Sequence, residues 1–298
     1  MASTVSYAKR NQTQKNRTIV LFLISPLFYL IYLAGYPVLM MLIYSFTDWK
    51  GSATPYSFVG LQNYIRIFNT AEYSVIFITA TYYLVAGLIQ QVLSLFFAEL
   101  LSRPLKGKNF FRGIIFFPFI MNGVAVALIF RMFFTPKGSF DILLTWLGLK
   151  DWIQLWVTNK HTVNYVLAFI YIWKNIGYSF LIYLGVLQSV PKEYYEAATI
   201  DGAGAWQQFK AITLPSIKHM IGLMATVTLI NSIGVYDVPY VLTKGNNGTH
   251  TFVTLLTITA FKNNKYGQAC AMAIIILVLA ATVMIIKSKL LKEERDVY

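Results

Sequence analysis

The sequence is dominated by uninterrupted apolar runs, and their length restricts what the chain can become. A bilayer core takes about 20 apolar helical residues to cross. Six runs come close to or exceed that length: residues 19–43, 74–98, 111–134, 163–187, 220–242 and 268–286. Each is expected to be helical, because a helix closes its own backbone hydrogen bonds inside hydrocarbon. A β-barrel needs short alternating segments, and these runs are continuous. Pro26, Pro37, Pro118 and Pro239 fall inside them. Membrane helices tolerate such breaks when neighbouring groups re-satisfy the freed backbone. The expected fold is all-α, a polytopic bundle of six transmembrane helices.

Only 12% of residues are charged and 57% are hydrophobic, against about 25% charged in soluble domains. The first run is too long for the apolar part of a signal peptide, and no small-residue cleavage site follows it. It is read as an uncleaved helix. The net charge of +13 invites a nucleic-acid reading, but its placement argues for orientation. Both termini share one side of a six-span chain. That side gathers Lys9, Arg10, Lys15, Arg17, Arg103, Lys106, Lys108, Arg112, Lys192, Lys210, Lys218 and the C-terminal lysines. The positive-inside rule puts both termini in the cytoplasm of a cell membrane. No nucleic-acid partner is expected; membrane lipid is. Cys270 is alone, so no internal disulfide is expected. His161, His219 and His250 lie on different loops without metal-ligand spacing, and no metal site is expected.

These runs divide the chain into a cytoplasmic tail (1–18), a first helix (19–43), an external loop (44–73), a transmembrane domain (74–287) and a C-terminal tail (288–298). Within the external loop at 135–162, residues 140–147 suit a helix lying at the interface. Trp146, Trp152 and Trp156 suit the aromatic belt. The cytoplasmic link 188–219 is long and helical in composition. Pro191 suits a helix start, and Gly202 and Gly204 suit its stop. Trp206, Phe209 and Ile212 repeat on a second short helix that Pro215 would end. A helix–turn–helix on the inner membrane face follows, with apolar side chains free for a partner.

That link reads Glu196-Ala197-Ala198, three residues, Gly202, nine residues, then Ile212-Thr213-Leu214-Pro215. The pattern resembles the EAA motif of permeases in binding-protein-dependent ABC importers, with every fixed position met and the same place before the last two spans. The small Ala197 and Ala198 let a helix sit close in a partner's groove. Gly202 permits a tight reversal, and Glu196 and Asp201 offer charge. The resemblance implies a type I ABC importer transmembrane domain in which Glu196, Ala197, Ala198, Asp201, Gly202, Ile212, Leu214 and Pro215 couple to a separate ATPase. The chain itself has no phosphate-binding loop: Gly107-Lys108 is followed by Asn109, with no glycine at the required distance before it. No cofactor is therefore expected here, ATP and magnesium belonging to the partner ATPase, and the chain is expected to be a transport subunit, not an enzyme.

Further stretches are similar to the carbohydrate-uptake branch, the permease type of maltose, lactose, raffinose and glycerol-3-phosphate importers. They are Ser45-Phe46-Thr47-Asp48-Trp49, Phe58-Val59-Gly60-Leu61-Gln62-Asn63-Tyr64, Phe110-Phe111-Arg112 with Pro118, and the sequence from Tyr194 to Ala203. The last external loop departs from the branch: Leu242-Thr243-Lys244 leads into Gly245-Asn246-Asn247-Gly248, a composition that still makes a turn. The resemblance implies a second homologous permease, two ATPase subunits, an external solute-binding protein and a sugar or oligosaccharide substrate, with glycerol-3-phosphate or another polyol-like solute as the alternative. A self-contained carrier is the competing class, and it would leave the 196–215 pattern without a role.

Polar groups inside membrane spans are costly and mark candidate sites. The fourth run offers Trp173, Lys174, Asn175, Gly177, Tyr178 and Ser179, and the fifth Asn231, Ser232, Tyr236 and Asp237. Asparagine, serine and aspartate suit sugar hydroxyls, and tyrosine suits the apolar ring face. Against this stand ordinary roles: a Lys174–Asp237 ion pair, aromatic packing, or hydrogen bonds between helices. Gln90, Gln91, Asn122 and Arg131 are weaker candidates, suited to packing or to the interface.

Overall fold

The computed structural model describes residue 15 and residues 18–51, 55–103 and 105–295. Most of the tail up to residue 18, with its basic residues at 9, 10 and 17, lies outside the described residues. The chain folds as helices α1 (Thr18–Tyr44), α2 (Gln62–Asn69), α3 (Ala71–Ser102), α4 (Lys108–Ile120), α5 (Gly123–Phe133), α6 (Ser139–Trp146), α7 (Val163–Gln188), α8 (Lys192–Ile200), α9 (Ala205–Gln208), α10 (Leu214–Gly234), α11 (Asp237–Thr243), α12 (Phe252–Thr257) and α13 (Tyr266–Arg295). Among the described residues five helical stretches are long and apolar enough to cross a membrane, or six if the bent pair α4 and α5 is one span. The third span is thus not the straight helix that residues 111–134 suggested: its halves meet at 99°. α13 continues to Arg295, into the stretch from residue 288 read as a C-terminal tail.

Two compact units are distinguished, one of residues 1–66 and 259–274, the other of residues 67–258 and 275–298. The first unit contains α1, which exposes Phe22, Leu30 and Leu33 and buries nothing along its span. Beyond α1 the chain knots into a clasp. Asn63 is buried and donates to the carbonyls of Ser45 (2.9 Å) and Thr47 (2.8 Å). The Tyr64 hydroxyl donates to Ser45 Oγ at 2.8 Å. Trp49 stacks on Tyr44 at 4.3 Å and packs on Tyr266 at 5.2 Å. The two outer motifs at 45–49 and 58–64 are therefore halves of one structure, joined by the Thr47–Phe58 bridge.

In the second unit α3 packs along α7, with α4 on α7, α10 on α3 and α5 on α11. One apolar cluster joins Tyr83, Val126, Phe130, Val166, Ile170 and Leu242. Another joins Ala98, Phe180, Tyr183, Leu187, Ile217 and Met224. On α3 a polar layer separates them. Gln90 donates to the Asn175 carbonyl at 3.0 Å. Gln91 donates to Ser179 (3.1 Å) and Thr228 (2.7 Å) and accepts from Tyr183 (2.8 Å). This closes the hydrogen-bonding needs of glutamine in an apolar setting, and it gives both residues the packing role anticipated for them. Where α7 crosses α4, a Cβ on Gly177 would sit 2.6 Å from the Ile115 carbonyl and 2.8 Å from Phe116 Cα. Gly177 therefore serves helix contact.

Prolines bend this fold in two ways. Proline has no N–H to give to the carbonyl four residues earlier. Before Pro37 and before Pro215 the helix widens into a π turn, at Ile31–Gly35 and Phe209–Thr213, and continues. Pro215 is thus a first-turn residue of α10, and the helix that it was expected to end runs unbroken from Ala205. Pro239 acts differently. The helix stops at Gly234 and restarts as α11, with Pro239 in the first turn. The Val235 carbonyl, which Pro239 cannot satisfy, accepts instead from Thr251 Oγ1 at 2.7 Å.

The loop after α11 is a turn, as its composition suggested: Lys244, Gly245, Asn247 and Gly248 all have positive φ. Thr79 and Asn164 donate to the Gly248 carbonyl at 3.3 and 3.1 Å, tying the loop to α3 and α7. Trp146 and Trp152 are exposed, and Trp156 is half-buried. It packs on Phe140 and donates Nε1–H to the buried Asp141 at 3.0 Å.

Candidate functional site

A cleft of about 300 Å³ opens where α10 breaks, between α3, α7 and α11. The break sets its rim: Asn231 and Gly234 end one helix, and Tyr236 and Asp237 begin the next. Opposite them α7 contributes Tyr171, Lys174 and Asn175, residues three and four apart on one face. Asn175 donates Nδ2–H to the Tyr171 carbonyl at 2.9 Å, which fixes its amide along the cleft. Tyr83 of α3 closes the floor, edge-on to Tyr171 at 5.4 Å. Its hydroxyl is buried without a hydrogen-bond partner. Tyr236 stacks on Tyr240 at 4.9 Å.

Asp237 stands at two helix starts at once. It is the first residue of α11, and its side chain lies against Gly123, the first residue of α5. A carboxylate is favoured at each by the positive end of the helix dipole. The bend between α4 and α5 is what presents the second start, with Asn122 capping it by accepting from Val124 N at 2.8 Å. Lys174 and Asp237 both face the cleft, and among the described residues they form no ion pair with each other. The cleft thus combines aromatic faces, amides and one charge of each sign.

Of the residues singled out from the sequence, Lys174, Asn175, Asn231, Tyr236 and Asp237 meet here. Gly177, Tyr178 and Ser232 do not. Gly177 faces α4, Tyr178 packs on Phe119 at 5.2 Å, and Ser232 is buried and donates back to the Leu229 carbonyl at 2.7 Å. Arg131 is exposed. Tyr83 and Tyr171 also line the cleft and were not among the residues singled out from the sequence. Tyr171 stands one turn before Asn175, so the helical period carried a signal for it; for Tyr83, on another span, no local pattern did.

The second site is the loop from Glu196 to Pro215. Gly202 has φ +80, the left-handed conformation that closes α8. Ala203 N bonds the Ala198 carbonyl at 2.8 Å, and Gln208 donates to Thr199 Oγ1 at 2.9 Å across the reversal. Tyr195 and Thr213 share a hydroxyl hydrogen bond of 3.0 Å, bracing α8 to the π turn. Glu196, Ala197, Asp201 and Gly202 are exposed, and Ala198 and Ile212 are half-buried. Leu214 and Pro215 are exposed as well. Ile200 and Trp206 stand 87% and 73% exposed, with Trp206 stacked on Phe209 at 5.5 Å. Apolar side chains so placed give the short helical hairpin an exposed apolar patch.

Several apolar spans, a polar cleft among them and an exposed hairpin on the helix that forms the cleft's rim define a multi-pass membrane transport subunit. Residues 90–292 match the family described as the binding-protein-dependent transport system inner membrane component. The chain belongs to this family and is an ABC-transporter permease. It is 32% identical over 279 residues to the multiple sugar-binding transport system permease protein MsmF of Streptococcus mutans, covering 91% of this chain and 94% of that protein. It is 30% identical over 282 residues to the probable ABC transporter permease protein YurN of Bacillus subtilis, covering 93% and 96%. The arabinooligosaccharides transport system permease protein AraP of Bacillus subtilis is 30% identical over 261 residues, 86% of this chain and 82% of that one. Among solved structures, a chain of a bacterial alginate ABC transporter in complex with a pentasaccharide-bound periplasmic protein has the same fold. Its TM-score is 0.84 at 19% identity, over 95% of this chain and 96% of that one.

Proposed function

We propose that this permease carries a sugar or oligosaccharide across the cell membrane, receiving it from an external binding protein and drawing its work from a separate ATPase. The observation that carries the reading is the complete 196–215 pattern, exposed on a hairpin whose second helix runs without interruption to the cleft. Relatives named for multiple sugars and for arabinooligosaccharides support the substrate class. The cleft's chemistry supports it too: Asn175, Asn231 and Asp237 suit hydroxyl groups, and Tyr171 and Tyr236 suit the ring face. In this reading Glu196, Ala197, Ala198, Asp201, Gly202, Ile212, Leu214 and Pro215 seat in an ATPase groove, and the cleft alternates between the two sides. The assembly holds a second homologous permease and two ATPase subunits. ATP and magnesium bind those subunits, and both termini of this chain are cytoplasmic, as in a bacterial inner membrane.

Purification with the chains encoded beside it, followed by reconstitution, tests the reading. An ATPase should accompany the chain, and sugar uptake should require ATP and the binding protein. Uptake by this chain alone would overturn it. Lys174 favours a second reading within the same class, an anionic solute such as glycerol-3-phosphate, which the same assay separates by competition.

A further inference from the structure

A groove runs between α4 and α7 at the membrane face that carries the 196–215 hairpin. It encloses about 370 Å³. Phe116, Phe180, Leu181 and Leu184 form its walls, and Gly113 and Gly185 its floor. A Cβ at either glycine would meet nothing within 4 Å, so the channel above them is open. Its end is polar: Arg112 on one side and Gln188, the last residue of α7, on the other.

Gln188 also lines a second cleft, of about 490 Å³, with Arg103, Lys108 and Lys192. Gln188 therefore borders both cavities, the first largely apolar and the second bearing three basic side chains. Charge is left over in the basic part. Arg103 pairs with Glu99 at 2.9 Å. Lys108 and Lys192 have no ion pair among the described residues, and Glu196 is the remaining carboxylate of the cleft. Arg112 donates one Nη2–H to the Leu101 carbonyl at 2.6 Å, while its Nε is buried without a partner.

We propose that this pair of cavities holds one anionic phospholipid, an acyl chain over Gly113 and Gly185 and the phosphate headgroup among Arg112, Lys108 and Lys192. The match is one of anatomy. A phospholipid is the molecule in a membrane that joins an apolar chain to a phosphate, and the apolar groove and the basic cleft adjoin at Gln188. Basic residues at a membrane surface favour anionic headgroups. A protein helix would fit the groove but would leave the basic end without a counter-charge.

The test uses the purified transporter assembly, taken from vesicles of phosphatidylcholine alone or with phosphatidylglycerol, and native mass spectrometry of the lipid it keeps. Phosphatidylglycerol should be retained in preference. Lys108→Gln and Arg112→Gln should each lower retention about five-fold, and Arg112→Lys should restore most of it. Gly185→Leu keeps every charge but fills the channel, and it should displace the lipid as well. Retention unaffected by the charge variants, or by Gly185→Leu, overturns the proposal. So does equal retention of phosphatidylcholine, or displacement of the lipid by soluble glycerophosphoglycerol, which would indicate a phosphate site without a chain. Cross-linking of Gly185→Cys to a neighbouring protein chain would assign the groove to that chain instead. The readout is lipid, so it stands whether or not the coupling reading of the 196–215 hairpin holds.

Discussion

Single side chains in this permease are held by short, nameable constraints, and these give sharp expectations. Gly177 admits the α4 backbone, so Gly177→Leu should destabilise the detergent-solubilised protein by about 1–3 kcal/mol, read as a lowered melting temperature. Asn63 holds two carbonyls from a buried position. Asn63→Ala should cost about 1–3 kcal/mol because both acceptors lose their donor in a dry site. Tyr83→Phe should leave the melting temperature unchanged or raise it, since the hydroxyl removed has no partner. Asn231→Ala, at the cleft's rim, should weaken uptake without changing melting; unaltered uptake in reconstituted vesicles would remove Asn231 from the substrate path. At this scale the sequence was partly legible. Intramembrane polarity pointed to Lys174, Asn175, Asn231, Tyr236 and Asp237. It could not separate them from Gly177 and Ser232, because facing a cavity and facing a helix look alike in a list of polar and small residues.

Among elements, the spans were legible because lipid imposes length and apolarity together. Their interruptions were not. Pro37, Pro215 and Pro239 are chemically the same residue with different outcomes, two of them following a π turn and one following a full break. What differs is the fate of the carbonyl four residues before. For Pro239 that carbonyl is Val235's, and its donor is Thr251, sixteen residues on. Thr251→Val keeps the shape and removes both the donor to the Val235 carbonyl and the acceptor that caps α12 at Thr254 N. It should cost about 1–3 kcal/mol and should expose the amides around Val235 to faster hydrogen exchange. Protection equal to the unsubstituted protein would show that the carbonyl has another donor.

For the whole molecule, the 196–215 hairpin was legible because Pro191, Gly202 and Gly204 mark its helix start and turn, and because its pattern resembles a family motif whose fixed positions survive where contacts are unknown. Its reversal depends on φ +80 at Gly202. Space is open around that residue, so conformation and not crowding limits what can replace it. Gly202→Val should cost about 1–2 kcal/mol locally and should lower transport per ATP hydrolysed while the protein remains in the membrane at normal abundance. Coupled transport at the usual ratio would count against the hairpin as the ATPase contact. The helix that leaves this hairpin is continuous from Ala205 to Gly234 and ends at the break beside the cleft. At 1.5 Å per residue it is a lever of about 45 Å. A tilt imposed at its cytoplasmic tip arrives at Asn231 as a sideways shift, while the segment beyond Val235, clipped by one threonine hydroxyl, is free to stay where it is.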